Sequence, residues 1–142
     1  MNHAALLTAI NEGGVNGSIL AERFGVSRTA VWKAIQQLRS EGLRIEGSPG
    51  EGYRLVDDSG FGPHTLSWRL NREVHYSEEC GSTNVEARRL ASDGRTAKGC
   101  IVVADAQHAG RGRLGRQWNA ESGLNLLFSL VLHPKVAPQR AS

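Results

Sequence analysis

Between residues 18 and 42 two short helix patterns are separated by a glycine, and this pairing constrains the fold more than any other feature of the chain. Ser18 precedes Ile19-Leu20-Ala21-Glu22, an N-cap signal for a helix that Gly25 ends. Ser27 then caps a second predicted helix, on which Val31, Ala34, Ile35 and Leu38 recur at helical spacing, and Gly42 closes it. Upstream, Ala5, Leu6, Ala9 and Ile10 give residues 4–10 a helical recurrence that Asn11-Glu12-Gly13-Gly14 ends. Downstream, apolar alternation at Leu43/Ile45 and Tyr53/Leu55 flanks a Ser-Pro-Gly-x-Gly turn, the pattern of a β-hairpin. Two short helices joined by a glycine turn make a helix-turn-helix, and a hairpin directly after the second helix is a wing. Residues 3–56 therefore read as a winged helix-turn-helix.

Charge placement gives that unit a partner. The first sixty residues hold six basic and seven acidic side chains, yet Ser27 to Arg39 carries three cations and no acid. Positions four apart stack on a helix, so Arg28, Thr29, Trp32, Lys33 and Gln36 share the face opposite the apolar stripe. With Ser27 at the N-terminus, such a helix can enter a major groove, Gln and Arg reaching base edges while Lys and the first turn hold phosphates. The alternative is a solvated amphipathic helix in a small bundle; agreement between the motif's spacing and its charge favours DNA. In the wing, Glu51 stands where a cation would suit phosphate, and Trp32 is an unusual base-reading residue.

The polar, Gly- and Pro-marked stretch from Asp57 to Pro63 predicts a linker. The chain then divides into residues 1–56, a linker at 57–65, and a second unit at 66–142. That second part is basic, with eleven cations against seven acids beyond residue 60. Val74-His75-Tyr76 suits a strand, and Ser82 or Thr83 caps a helix to about Ala91 that Ser92-Asp93-Gly94 turns. Cys100-Ile101-Val102-Val103-Ala104 is a continuous apolar run, hence a strand buried on both faces. Asn125–His133 predicts another. Between these strands lies Gln107-His-Ala-Gly110-Arg-Gly-Arg-Leu-Gly115-Arg-Gln-Trp118.

The segment from Gly110 to Gly115 matches G-x-G-x-x-G, but no amphipathic helix follows to present its N-terminus to a pyrophosphate. About twenty residues on, where an acid should hold a ribose, stands Lys135, so a dinucleotide fold is excluded. Three arginines among three glycines instead predict a loop that is mobile when empty and closes over a phosphate or carboxylate through guanidinium forks. The bland alternative, a flexible nucleic-acid-binding segment, fits poorly with buried strands on both sides and Trp118 at the end.

Ser82-Thr83-Asn84, then Gln107-x-Ala109-Gly110-Arg-Gly-Arg-x-Gly-Arg-x-Trp118, behind a winged helix ending in Pro49-Gly-x-Gly-Tyr53, resembles the bifunctional biotin protein ligase and biotin operon repressor family over residues 5 to 133. The resemblance implies an α+β chain: a winged helix-turn-helix followed by the start of a class II synthetase-like catalytic domain of the biotin/lipoate ligase type, incomplete here. It implies that biotin and biotinyl-adenylate are bound by Ser82, Thr83, Asn84, Gln107, Gly110, Arg111, Gly112 and Arg113, with Arg116 and Trp118 ordering the adenylate side. Biotin and ATP are then substrates, Mg2+ accompanies ATP, a biotin carboxyl carrier domain receives the product, operator DNA is the second partner, and the full-length protein is a candidate homodimer. The family's later Lys-Trp-Pro-Asn-Asp motif has no counterpart, since Lys135 lies in His-Pro-Lys-Val-Ala-Pro. The expectation is thus an N-terminal portion without turnover of its own, or a shortened, non-enzymatic biotin-sensing regulator.

Other classes drop out on composition. The longest apolar stretches are far too short to span a bilayer, no secretory signal opens the chain, and Asn16-Gly17-Ser18 is then a chance glycosylation sequon. Cys80 and Cys100 form no disulfide or metal pattern and are expected as a loop thiol and a buried strand thiol. The five histidines show no ligand spacing, so no metal site is expected. A cytoplasmic protein remains.

Overall fold

A computed structural model describes residues 1–132 except 49, 95, 97 and 98. It divides into two compact units, Met1–Asn71 and Arg72–Ser142.

In the first unit, α1 (His3–Asn11) starts at Asn2, whose side chain accepts from the Ala5 N–H at 3.2 Å. Helix α2 (Gly17–Phe24) is capped by Asn16 and not by Ser18: the Asn16 side chain accepts from the Ser18 N–H at 2.9 Å, which puts Ser18 inside the first turn. Asparagine caps as well as serine does, and its extended backbone at φ −62°, ψ 138° decides between them. Gly25 ends α2 in the left-handed region at φ +62°. Ser27 caps α3 (Arg28–Ser40), accepting from the Ala30 N–H at 3.1 Å. The predicted stripe of Val31, Ala34, Ile35 and Leu38 is buried, meeting Leu6, Leu7, Ile10, Leu20, Leu43 and Ile45 in one core. Each fully buried leucine or isoleucine contributes about 1.5–3 kcal/mol.

The wing forms as predicted, with β1 (Arg44–Ser48) antiparallel to β2 (Gly52–Asp57). A third segment joins it: Val15 and Tyr53 exchange backbone hydrogen bonds at 3.0 and 2.8 Å. Gly52 permits this, because a Cβ there would lie 2.3 Å from the Val15 carbonyl carbon and its φ is +79°.

The stretch read as a linker is a packed strap. The Phe61 N–H donates to the Glu41 carbonyl at 2.8 Å, and a Cβ on Gly60 would lie 2.5 Å from that same oxygen. It leads into α4 (Pro63–Leu70), for which Gly62 offers no side-chain cap. Glu41, more than twenty residues earlier, supplies one by accepting from the Thr65 N–H at 2.9 Å, the Thr65 hydroxyl at 2.8 Å, and His64. Trp68 Nε1 donates to Thr8 Oγ1 of α1 at 3.1 Å. The compact division therefore falls between Asn71 and Arg72, later than the expected 57–65, because α4 is fastened to the winged unit.

The second unit holds β3 (Val74–Cys80), α5 (Thr83–Ser92), β4 (Ile101–Arg111), β5 (Gln117–Ala120) and β6 (Leu127–Leu130). Strands β3 and β4 are parallel and joined through α5, while β5 and β6 both pair antiparallel with β4. That central position buries consecutive residues Val102, Val103 and Ala104, as the unbroken apolar run predicts. Ala87 and Leu90 of α5 pack on Cys100, Val102 and Val131. Cys80 closes β3, half-buried, instead of lying in a loop. Strand β6 is shorter than the predicted 125–133; His133 and Lys135 lie outside the described residues. Among the described residues no helix is long and apolar enough to cross a membrane.

Candidate ligand site and nucleic-acid interface

The ligand-site candidates gather where β3 and β4 end. Ser82 precedes α5 in extended conformation without a side-chain cap bond, so the first turn finds its acceptor elsewhere. Gln107 Oε1, from β4, accepts from the Thr83 N–H at 2.9 Å. Thr83 Oγ1 in turn accepts from Ser129 Oγ of β6 at 3.0 Å. Ser82, Thr83 and Gln107 are all buried. The Gly81 carbonyl accepts from the Ala109 N–H at 2.9 Å, which ties the turn before α5 to the base of the glycine-arginine segment.

Gly110 is the residue that brings the arm's two sides together. A Cβ there would lie 2.4 Å from Gln107 Nε2, 2.7 Å from Trp118 Nε1 and 2.7 Å from the Trp118 carbonyl. A side chain here would displace both the Gln107 amide and Trp118, which pairs with Gly110 across β4 and β5. Trp118 remains 42% exposed, so its ring offers a surface to a ligand.

The segment expected as an open, mobile loop is a hydrogen-bonded hairpin. β4 continues through Arg111, a single 3-10 turn spans Arg113–Gly115, and β5 returns antiparallel. The Gly112 N–H donates to the Arg116 carbonyl at 2.7 Å and closes the tip. Arg111 pairs with Gln117 across the two strands. Arg111, Gly112, Arg113 and Arg116 are exposed on this arm, and Leu114 at its apex holds φ +60° with 94% of its surface exposed. Asn84 is exposed on the first turn of α5. A strand running into a hairpin, not a helix, agrees with exclusion of the dinucleotide fold. Sequence reading missed Ser129; its one trace was a lone hydroxyl within Leu-Phe-Ser-Leu.

On the first unit, Arg28, Thr29, Trp32 and Lys33 are exposed along α3 and Gln36 is half-buried, with Ser27 at the capped end. Trp32 lines a groove of about 630 Å³ with Asn16, Arg28, Thr29, Ser48 and Tyr53, between α3 and the wing. With its amide oxygen turned toward them, Gln36 accepts from Trp32 Nε1 at 3.2 Å and from Arg39 at 3.0 Å. Arg39, the third cation of the helix, is engaged structurally: its Nε and Nη2 donate to the Ile45 carbonyl at 3.0 and 2.6 Å, joining helix to wing. The wing's charges pair among themselves. Glu46 lies 3.0 Å from Arg44 and 3.8 Å from Arg54, while Glu51 accepts from the Ser48 hydroxyl at 2.8 Å. Of the three cations on α3, Arg28 and Lys33 stay exposed.

A helix-turn-helix with a wing, followed by a mixed sheet carrying the glycine-arginine arm, defines a two-module class: a DNA-binding fold joined to a ligase-type fold. Residues 4–54 match the HTH domain family, and residues 82–142 match the Biotin/lipoate A/B protein ligase family. The bifunctional ligase/repressor BirA of Bacillus subtilis strain 168 is 36% identical over 132 residues, covering 89% of this chain and 40% of that protein. BirA of Escherichia coli K12 is 31% identical over 133 residues, covering 89% of this chain and 39% of the relative. The biotin–[acetyl-CoA-carboxylase] ligase of Mycobacterium tuberculosis is 31% identical over 70 residues, covering 49% and 26%. The chain thus carries an HTH domain match followed by a Biotin/lipoate A/B protein ligase family match, and over 89% of its length it is similar to the bifunctional ligase/repressor proteins. It spans about two-fifths of the length of the curated relatives it matches.

Proposed function

We propose that the chain serves ATP-dependent formation of biotinyl-5′-AMP, transfer of biotin to a lysine of a carrier protein, and DNA-bound repression of biotin genes. The observation that carries the ligand half is the convergence of Thr83, Gln107, Gly110 and Trp118: the buried Gln107 side chain accepts from the start of α5, and its amide nitrogen and the Trp118 indole both crowd the space beside Gly110. Ser82, Thr83, Asn84 and Gln107 line the biotin end. Arg111, Gly112, Arg113 and Arg116 face the anions, and Trp118 covers the adenylate side. A biotin carboxylate oxygen must attack the α-phosphorus of ATP as pyrophosphate leaves. Fixed guanidinium and N–H donors offset repulsion between the two anions and the charge gathering at phosphorus. An arm closed over the mixed anhydride keeps water from it. Mg2+ would arrive on ATP's phosphate oxygens; the described residues that could group around a metal, Glu73, His75 and Cys100, do not make an all-oxygen site that suits it.

The carrier domain, operator DNA and a homodimer are the partners of this reading, and the cytoplasm is its compartment. These 142 residues contain no Lys-Trp-Pro-Asn segment, so on their own they are expected to show no biotin-dependent ATP–pyrophosphate exchange. Exchange at the rate of a full-length relative would refute that. For the DNA half, anisotropy of a labelled duplex against salt should give weak binding that falls as salt rises. Arg28→Ala and Lys33→Ala should each flatten the salt slope by about one. No binding at low salt would overturn the assignment of α3.

A further inference from the structure

The two strands that carry the ligand site at their C-terminal ends hold a second chemical grouping at their starts. Glu73 immediately precedes β3, His75 lies within it, and Cys100 immediately precedes β4. The parallel register pairs Val74 with Ile101 and His75 with Val102, and the Ile101 N–H donates to the Glu73 carbonyl at 3.0 Å. Strand side chains alternate between faces, so this register sets Glu73, His75 and Cys100 on one face. His75 Nε2 and Glu73 Oε1 are 2.8 Å apart, and one donor atom from each of the three residues lies within 4.8 Å of the others. Linear spacing concealed this grouping, since Cys100 follows His75 by an entire helix and is returned to it by strand pairing.

These donors suit a metal better than a nucleophile. Cys100 is 1% exposed and packs on Ala87, Leu90, Val102 and Val131. A tetrahedral site with bonds of about 2.0–2.3 Å spaces its ligands about 3.3–3.8 Å apart. The sulfur is held by the core, while Glu73 and His75 side chains are more than a third exposed and can close the remaining distance. Sulfur and imidazole select zinc-class cations over magnesium or calcium. A bound divalent ion, a carboxylate and a thiolate sum to zero charge, the Cys100 proton leaving to solvent.

We propose that Glu73, His75 and Cys100 bind a zinc-class divalent cation through oxygen, nitrogen and sulfur, with water completing the tetrahedron. The site lies five to seven residues before the Cys80–Gln107 pair, about 16–23 Å along the strands, so it is separate from the ligand site. Its effect is to pin the starts of β3 and β4, stabilising the sheet by linkage.

The test is titration of the whole chain with Co2+ under reducing, oxygen-free conditions, followed by competition with Zn2+. The expected result is one equivalent of Co2+ with near-ultraviolet thiolate-to-cobalt charge transfer and visible tetrahedral bands, displaced by Zn2+ and not by Mg2+. Cys100→Ser should abolish the charge transfer and Cys80→Ser should leave it intact. His75→Ala and Glu73→Gln should each weaken binding about tenfold or more. Should Cys100→Ser unfold, His75→Ala still decides, because its exposed side chain is outside the core. Absence of charge transfer, its loss only in Cys80→Ser, or unchanged affinity in His75→Ala would overturn the proposal.

Discussion

Replacing Gln107 by alanine probes the ligand site at the contact that organises it. The substitution deletes the Oε1 acceptor 2.9 Å from the Thr83 N–H, and Thr83 is only 5% exposed. Depriving a buried donor of its partner costs about 1–3 kcal/mol. Confined to the first turn of α5, that cost corresponds to an about 5- to 150-fold larger opening equilibrium constant, readable as loss of amide hydrogen-exchange protection at Thr83. Gln107→Glu separates the two ends of the side chain. It retains an acceptor for Thr83, and the α5 N-terminus favours the new charge, but it removes the Nε2 donor beside Gly110 and Trp118. Thr83 protection should therefore survive in Gln107→Glu while the Trp118 fluorescence changes in both variants. Unchanged Thr83 protection in Gln107→Ala would refute the claim that Gln107 positions the start of α5.

Glu41→Ala should strip α4 of its cap and strand the Thr65 N–H and hydroxyl, lowering stability of the first unit by about 2–5 kcal/mol in urea unfolding; a loss under 1 kcal/mol would contradict the capping role. The same cluster predicts acid sensitivity. Burial alone would raise the Glu41 carboxyl, but hydrogen bonds from His64 and Thr65 outweigh it and hold it below its ordinary value. His3 is also lowered, by burial and then by neighbouring His64 and N-terminal charge. Both folded-state values are depressed, so their stabilisation is complete above the ordinary values. It is lost as pH falls, first through the imidazole range and then the carboxylate range; urea midpoints rising on acidification would contradict this. Arg113→Ala in a full-length relative carrying this arm should weaken biotinyl-adenylate retention by one to two powers of ten, for a charge-assisted bond of about 1.5–3 kcal/mol. Arg113→Lys should restore only part, since the fork is lost.

What the sequence made legible was whatever neighbours along the chain decide. Ser27, the α3 stripe, Gly25 and the hairpin alternation are local signals, and each appears in the structure where it was read. The unbroken apolar run at the start of β4 disclosed its central place in the sheet. Apart from the α2 cap, where Asn16 stands in for Ser18, the differences arise from pairing between elements. The 57–65 stretch looked like a linker because its anchor, Glu41, lies on another element. The hairpin form of the arm was not legible because glycine and arginine disfavour order locally, while Gly110 pairs with Trp118 across β4 and β5. Arg39 was counted among the helix's three cations, but its bonds to the Ile45 carbonyl, which join helix to wing, were not legible. Of the ligand site, the motif residues were legible, but Ser129 and the direction of the Gln107 bond were not.

The most direct test of the central claim is titration of the 15N-labelled chain with biotinyl-5′-AMP, following amide shifts. Perturbations are expected to centre on Thr83, Asn84, Gln107, Gly110 to Arg116 and the Trp118 indole, and to weaken when Gln107 is alanine. Shifts confined to the groove around Trp32 and Tyr53, or none at millimolar ligand, would contradict it.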